Sequence, residues 1–267
     1  MDIQAAILRE PGGQFAIETV TLDAPKTGEV LVKVVAAGVC HTDISVQHIM
    51  PMPVVLGHEG SGFVEAVGPG VTKVAPGDPV VMTFGSCGRC PSCVEGAPSH
   101  CHDMRTLQFS GGRFDGSPTM SQQGEKVNAA FFQQSSFATH ALATERNVVK
   151  VTQADVPLEL LGPLGCGIQT GAGAVMNTIK ARAGSSIAIM GAGSVGLSGV
   201  MAAHLIGCTT IIAVDINKGR LELARDVGAT HILDASEGDS AARIGGLTNG
   251  GAHYALETAG TVQSFTD

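Results

Sequence analysis

Short apolar runs, alternating with polar positions or bounded by them, dominate residues 3–151. EVLVKVVAAG, SGFVEAVG, PVVMTF and SSFATHALA are examples, each set off by Gly, Pro, Asp or Ser. Alternation with a period of two places successive side chains on opposite faces of a strand, so this stretch predicts a β-rich domain. Within it, residues 110–126 (SGGRFDGSPTMSQQGEK) are polar and glycine-rich. They predict a surface loop and not a linker, because strand-like sequence resumes at once.

The texture becomes helical between residues 152 and 182. Pro157 suits the first turn of a helix carrying Leu158, Leu160 and Leu161, and a second helical stretch runs to about Lys180. Four strand candidates follow, SIAIMGAG, TTIIAVD, THILD and HYALE, with SVGLSGVMAAHLIG as the helix after the first. Such βα alternation predicts a parallel sheet with helices on both faces. The expected division is a β-rich domain over 1–165 and a dinucleotide-binding, doubly wound domain over 166–267, with no internal repeat. A full sheet of the second kind has six strands in the order 3-2-1-4-5-6. Four can be counted before the chain reaches TVQSFTD. The expectation is an incomplete sheet lacking roughly 100 residues, with HYALE as an exposed edge and weakened activity or a tendency to associate.

Composition narrows the function. At 267 residues and 44% hydrophobic, the chain has material for two cores. Its 36 glycines, without a short period, indicate many turns and close backbone approaches. A net charge of -8 argues against nucleic acid as a partner, because no basic stripe exists to release phosphate counterions. The start MDIQAAILREPGG lacks a basic segment leading into a long apolar one, and no run approaches the ~20 apolar residues of a spanning helix. A cytoplasmic protein with no membrane partner is expected.

Four of the seven cysteines, Cys87, Cys90, Cys93 and Cys101, fall within fifteen positions. Short C-x-x-C turns can hold four sulfurs about 2.3 Å from one tetrahedral Zn²⁺, and four protein ligands leave no open position. That spacing predicts a structural zinc in preference to disulfides. Cys40 in GVCHTD, His58 in GHEGSG and Cys166 in GPLGCGIQTG form a second candidate set. Two sulfurs and one imidazole would leave a fourth position for substrate. Yet a lone cysteine is usually a small core residue and a lone histidine a satisfied structural one. Spacing by itself leaves this trio open.

Gly191-Ala-Gly193-Ser-Val-Gly196 follows the apolar SIAIM and opens a helix, which is the context a G-x-G-x-x-G match requires. Asp215 stands nineteen residues after Gly196, at the end of TTIIAVD. Its carboxylate can bind a ribose 2′-hydroxyl but repels a 2′-phosphate, by about 4 kcal/mol per unit charge at 4 Å under an effective dielectric of 20. NAD is the expected cofactor.

GHEGSGFVEAVGPGV resembles the signature of the zinc-dependent medium-chain alcohol dehydrogenases, and the order Cys, His-Glu, four-cysteine lobe, Cys, GxGxxG matches that family from end to end. FFQQSSFATHAL and LELLGPLGCGIQTGAG are similar to its benzyl (aryl) alcohol branch. The resemblance implies a GroES-like catalytic domain followed by a Rossmann domain, an α+β and α/β fold. It implies two zinc ions and NAD, and full-length relatives that are homo-oligomeric. Cys40, His58 and Cys166 would then ligate the catalytic zinc, with Glu59 just behind it and Asp43 hydrogen-bonded to the ligand histidine. Thr42 would accept the alcohol proton. His41 would reach the cofactor pyrophosphate, Thr170 and Val195 would line the nicotinamide side, and Arg220 would lie near the adenosine ribose.

Two departures from the pattern stand out. Ser45 occupies the position of a relay histidine, and the interval from Cys40 to His58 is shorter than the family's usual one. The implied reaction is reversible oxidation of a primary aryl or allylic alcohol to the aldehyde. The alternatives are S-(hydroxymethyl)glutathione or aliphatic alcohols as substrate, or a non-catalytic zinc- and nucleotide-binding protein. His48, His100, His102, Cys208, His140, His204, His231 and His253 are left as structural or surface residues.

Overall fold

Two five-stranded antiparallel sheets and one four-stranded parallel sheet account for the apolar runs. The structure, a computed structural model, describes residues 1–153 and 155–266; Ala154 and Asp267 lie outside the described residues. The chain divides into two compact units, Met1–Cys166 and Gly167–Asp267.

In the first unit the strands are β1 (Asp2–Leu8), β2 (Ala16–Leu22), β3 (Glu29–Gly38), β4 (Val54–Val55), β5 (Glu59–Val67), β6 (Pro79–Met82), β7 (Met120–Gln122), β8 (Glu125–Val127), β9 (His140–Thr144) and β10 (Val148–Lys150). Three short helices join them, α1 (His41–Ser45), α2 (Pro91–Val94) and α3 (Met104–Phe109). One sheet has the order β4-β1-β2-β7-β8 and the other β10-β6-β5-β3-β9. Strand β3 serves two cores through its period of two. Leu31 packs with Ile3, Ile7, Val20 and Leu22, while Val30 and Val32 pack with Val64, Val80 and Met82. The β3–β5 pairing has two register shifts and ends with Gly38 opposite Glu59. Bulges of this kind bend and re-aim a strand pair. Here the pairing brings Cys40, just after β3, beside His58, just before β5.

The second unit begins with α4 (Gly167–Gly173), which continues as a π-helical stretch over Ala174–Ile179. Then come β11 (Ser186–Met190), α5 (Ser194–Ile206), β12 (Thr210–Asp215), α6 (Lys218–Asp226), β13 (His231–Asp234), α7 (Ser240–Thr248), β14 (Tyr254–Glu257) and α8 (Val262–Thr266). The strands are parallel in the order β13-β12-β11-β14. Strand β11 is buried along its whole length, as expected where helices cover both faces. Ile187 and Ile189 pack against Val200 of α5 and Leu221 of α6, whereas Ala188 and Met190 face Ile244 of α7. Each fully buried isoleucine contributes about 1.5–3 kcal/mol.

Three local expectations change. The loop expected over 110–126 contains the hairpin β7–β8, turned by Gln123 (φ 52°) and Gly124 (φ 86°). The helix expected after Pro157 is a 3₁₀ turn, Leu158–Leu160, followed by another over Gly162–Gly165. Gly and Pro in sequence at 162–163 stop it from extending. In SSFATHALA the strand starts at His140; Ser135 is left-handed (φ 52°) and Ala138 makes only an isolated bridge to Ala5. Among the described residues, no helix is long and apolar enough to cross a membrane.

Candidate active site and metal centres

Cys40 ends the extended backbone after β3 and caps α1. Its sulfur accepts the Thr42 N–H at 3.5 Å, and the Asp43 carboxylate reaches back to the Cys40 N–H at 2.9 Å. The other Asp43 oxygen accepts from the Gly57 N–H and from His58 Nδ1, both at 3.0 Å. Asp43 and His58 are 2% and 1% exposed. With Nδ1–H committed to a carboxylate, the imidazole presents its Nε2 lone pair, the arrangement found at metal-ligating histidines. Nε2 is buried and has no hydrogen-bond partner.

The ligand atoms of Cys40, His58, Glu59 and Cys166 lie within 4.8 Å of one another. Glycine makes the last approach possible. A Cβ on Gly162 would overlap the Glu59 carbonyl oxygen, and one on Gly165 would overlap that of Met82. The 3₁₀ turn therefore lies directly against β5 and β6 and delivers Cys166. Charge is shared unequally within the cluster. The Cys166 thiol and then the His58 imidazole pull the Cys40 thiol down to about 3, while Cys166 itself is pushed above the ordinary thiol range by Cys40 and by burial. Burial lowers the His58 imidazole, but Asp43 and the Cys40 sulfur outweigh it and raise it to about 9. Two sulfurs and one imidazole whose buried Nε2 is orphaned suit a divalent ion of borderline softness, which would replace the protons that this cluster otherwise shares.

Behind His58 lies a segment of which the sequence reads only the last residue, Ser135 at the start of SSFATHALA, as strand. Ala130, Phe132, Gln133 and Ser135 all have positive φ, 58°, 50°, 56° and 52°. Non-glycine residues in that region cost on the order of 1–3 kcal/mol each and persist where their surroundings over-determine them. Phe132 stacks on the His58 ring at 4.5 Å, and Phe131 meets its edge at 5.3 Å. The Ser135 hydroxyl accepts the Phe131 N–H and donates to the Val55 carbonyl, and Gln133 donates to the Leu107 carbonyl. No motif marks these residues in the sequence. The nearest signal was their similarity to the aryl branch.

Cys87, Cys90, Cys93 and Cys101 also bring their sulfurs within 4.8 Å of one another. Backbone N–H groups point at them: Cys87 N–H to Cys101, Cys90 N–H to Cys87 and His102 N–H to Cys90, at 3.3, 3.3 and 3.5 Å. The His102 and Cys93 backbones draw Cys90 down to about 6. None of the seven cysteines is in a disulfide. Sulfurs met by N–H donors in a closed set of four fit a structural zinc, which would replace the protons they otherwise carry.

In the second unit Gly191 (φ 92°) turns the chain out of β11, and Gly193 caps α5. A Cβ on Gly196 would overlap the Gly191 carbonyl oxygen, whereas one on Gly193 would meet nothing within 4 Å. The first constraint is internal packing and the second leaves the helix N-terminus open, which fits a pyrophosphate. Gly191, Gly193, Asp215 and Arg220 line a cavity of about 910 Å³. Asp215 accepts the Ala192 N–H at 2.7 Å and the Asn217 N–H at 2.8 Å, which fixes its carboxylate at the end of β12. Thr170 on α4 and Val195 on α5 belong to this unit but do not line that cavity; the two helices meet where Gly171 lies against the Val195 carbonyl. His41 is exposed on α1 of the first unit, as is Ser45, whose hydroxyl donates to the His41 carbonyl.

A β-domain carrying two clusters of potential metal-ligating side chains, in a chain that also has a dinucleotide-type parallel sheet, is the combination expected of a zinc-binding dehydrogenase. Residues 26–153 match the family model described as alcohol dehydrogenase GroES-like domain, and residues 194–267 match that described as zinc-binding dehydrogenase. The chain belongs to the zinc-dependent medium-chain alcohol dehydrogenase family. It is 49% identical over 261 residues to geraniol dehydrogenase of Castellaniella defragrans, covering 96% of this chain and 70% of that protein. Two crystal structures resemble it closely. The alcohol dehydrogenase zinc-binding domain protein from Burkholderia ambifaria superposes with a TM-score of 0.96 at 50% identity, covering 99% of this chain and 72% of the other. Benzyl alcohol dehydrogenase from Acinetobacter calcoaceticus gives 0.94 at 48%, with the same coverage.

Proposed function

We propose that this chain carries out the reversible oxidation of a primary alcohol of benzylic or allylic type to its aldehyde, using zinc and NAD. The observation that carries this reading is the convergence of Cys40, His58, Glu59 and Cys166 around a buried His58 Nε2 that has no hydrogen-bond partner. Cys40, His58 and Cys166 would hold the ion, and Zn²⁺ there supplies the Lewis acidity that favours ionisation of an alcohol near neutral pH. Asp43 fixes the His58 tautomer and ring orientation. Phe132 shields one face of that ring from water. The Thr42 hydroxyl, 3.5 Å from the Cys40 sulfur, would accept the alcohol proton while releasing its own toward the cofactor ribose. Ser45 already donates to His41 and cannot act as a base at neutral pH, so the proton leaves through water.

In the second unit the α5 N-terminus would cradle the pyrophosphate and Asp215 would take the ribose hydroxyls, with Thr170, Val195 and Arg220 as further cofactor contacts. NAD supplies the hydride acceptor. The carboxylate of Asp215 disfavours a 2′-phosphate. A second zinc held by Cys87, Cys90, Cys93 and Cys101 stabilises the lobe and takes no part in turnover. The substrate class rests on likeness: geraniol and benzyl alcohol, the alcohols named by two similar proteins, both carry the reacting carbon next to an unsaturated one.

A panel of benzyl alcohol, geraniol, ethanol and S-(hydroxymethyl)glutathione with NAD or NADP tests the reading, run with metal analysis. Benzyl alcohol or geraniol with NAD should give the highest kcat/KM. Ethanol or the glutathione adduct ahead of both would overturn the substrate class, and zinc and NADH binding without turnover of any alcohol would overturn the enzymatic reading.

A further inference from the structure

Gln134 is 1% exposed and uses both ends of its carboxamide. Its Nε2 donates to the carbonyl oxygens of His58 at 2.9 Å and Thr83 at 3.2 Å, while Oε1 accepts the Gly60 N–H at 3.1 Å. Thr83 in turn donates its hydroxyl to the Gly165 carbonyl at 2.9 Å. The connection runs from the peptide of His58, through Gln134 and Thr83, to the residue before Cys166. Asn147, fully buried, ties in the same point by donating to the Thr83 and Gln133 carbonyls, both at 3.0 Å. The left-handed backbone on either side of Gln134 lets one segment place Phe132 on the imidazole face and the Gln134 amide on the His58 backbone.

We propose that Gln134, acting through Thr83, is a positioning residue of the Cys40–His58–Cys166 metal site, setting how far the His58 imidazole stands from the Cys166 sulfur; this rests on those three being the ligands. Metal–ligand distances tolerate errors of about 0.2 Å, and His58 and Cys166 come from segments separated by more than a hundred residues. A neutral amide is the side chain that can donate to two carbonyls and accept one N–H together. A carboxylate can serve only the Gly60 N–H, and a thioether has no N–H to donate to either carbonyl.

The test uses the full chain with cobalt(II) exchanged into the open site after brief chelation, while the four-cysteine site keeps zinc. Cobalt absorption in the visible range reports coordination geometry independently of turnover. The wild type should show a tetrahedral, thiolate-ligated spectrum; its absence would sink the ligand assignment itself. Given that spectrum, Gln134→Met should shift the visible band and bind cobalt about 10–100-fold more weakly, with the four-cysteine zinc retained. Wild-type spectrum and affinity in Gln134→Met would overturn the positioning role alone. Should that variant fail to fold, Thr83→Val and Thr83→Ser decide the matter. Valine should reproduce the shift and the weaker hold, and serine, which keeps the hydroxyl donor, should restore both. A valine variant indistinguishable from wild type overturns the proposal.

Discussion

Substituting Asp43 by Asn removes a charge and one acceptor from a carboxylate that two buried donors and one half-buried donor share. Oδ1 receives the Gly57 N–H and His58 Nδ1, and Oδ2 receives the Cys40 N–H. An asparagine oxygen can keep the first two contacts, but its Nδ2 then opposes the Cys40 N–H, donor against donor. The half-buried Cys40 N–H is left unsatisfied, at a cost of about 1 kcal/mol, the low end of the range for a buried donor. The imidazole also loses the carboxylate that raises its basicity, and such losses weaken metal binding about 10–100-fold, equivalent to about 1.4–2.7 kcal/mol. Asp43→Ala orphans all three donors and could consume much of the ~5–15 kcal/mol that holds a domain together, so Asn is the informative variant. Competition with a chelator of known zinc affinity reads the first effect, taking the four-cysteine site as internal reference. Urea unfolding of the zinc-saturated protein reads the second. An Asp43→Asn protein with wild-type zinc affinity, and stability within about 0.5 kcal/mol, would refute the reasoning.

Cys87→Ser should lower the yield of folded protein, whereas Cys40→Ser should leave it folded without turnover. Metal analysis should find two zinc ions per wild-type chain and one in the folded Cys40→Ser protein; a wild-type value of one or none counts against both sites. Asp215→Gly should narrow the preference for NAD over NADP by removing repulsion from the 2′-phosphate, and equal kcat/KM for the two cofactors in the wild type would contradict that role. The Glu145 carboxylate accepts the Thr72 and Lys73 N–H groups, which hold it below its ordinary value of 4.5. Because its folded value is the lower one, the stability it adds is complete above the unfolded value and is lost as pH falls through the folded one. Glu145→Gln should therefore flatten the fall of the urea midpoint below about pH 4.5, and parallel profiles for the two proteins would show that these contacts do not couple to stability.

Legibility followed how local each cause is. Buried parallel strands such as SIAIM and TIIAVD stand out because both faces are covered, and EVLVKVVAAG coincides with β3 from end to end. The hairpin at 120–127 was missed because Gln123 takes a left-handed turn position that Asn or Asp usually fills, between strands of three residues. Pro157 suggested a helix start, but its ψ of 126° sets it outside the turn that follows. The four-cysteine lobe could be read from spacing. The set of Cys40, His58 and Cys166 could not, since its members come together through the β3–β5 register and a glycine-lined turn, and only resemblance named them. Gln134 and Thr83 carried no signal, because their partners are backbone groups far away in sequence.

The surroundings of His58 use two opposite devices. Gly162 and Gly165 give up side chains so that backbones can touch, while Ala130, Phe132, Gln133 and Ser135 keep theirs at angles that glycine would adopt more easily. Glycine at Phe132 would relax the backbone but remove the ring stacked on the imidazole. Glycine at Ser135 would remove an oxygen that serves both the Phe131 N–H and the Val55 carbonyl. Each strained residue costs about 1–3 kcal/mol, and each buried hydrogen bond returns about 0.5–1.5, so the segment does not hold its shape by itself. It is held by Val55 of β4 and by Asn147, and just beyond it the Ser136 and Phe137 N–H groups donate to the Gly57 and Leu56 carbonyls. A segment fixed from outside in this way is placed by the same backbone that carries His58, so the Phe132 ring and the imidazole it stacks on share one frame.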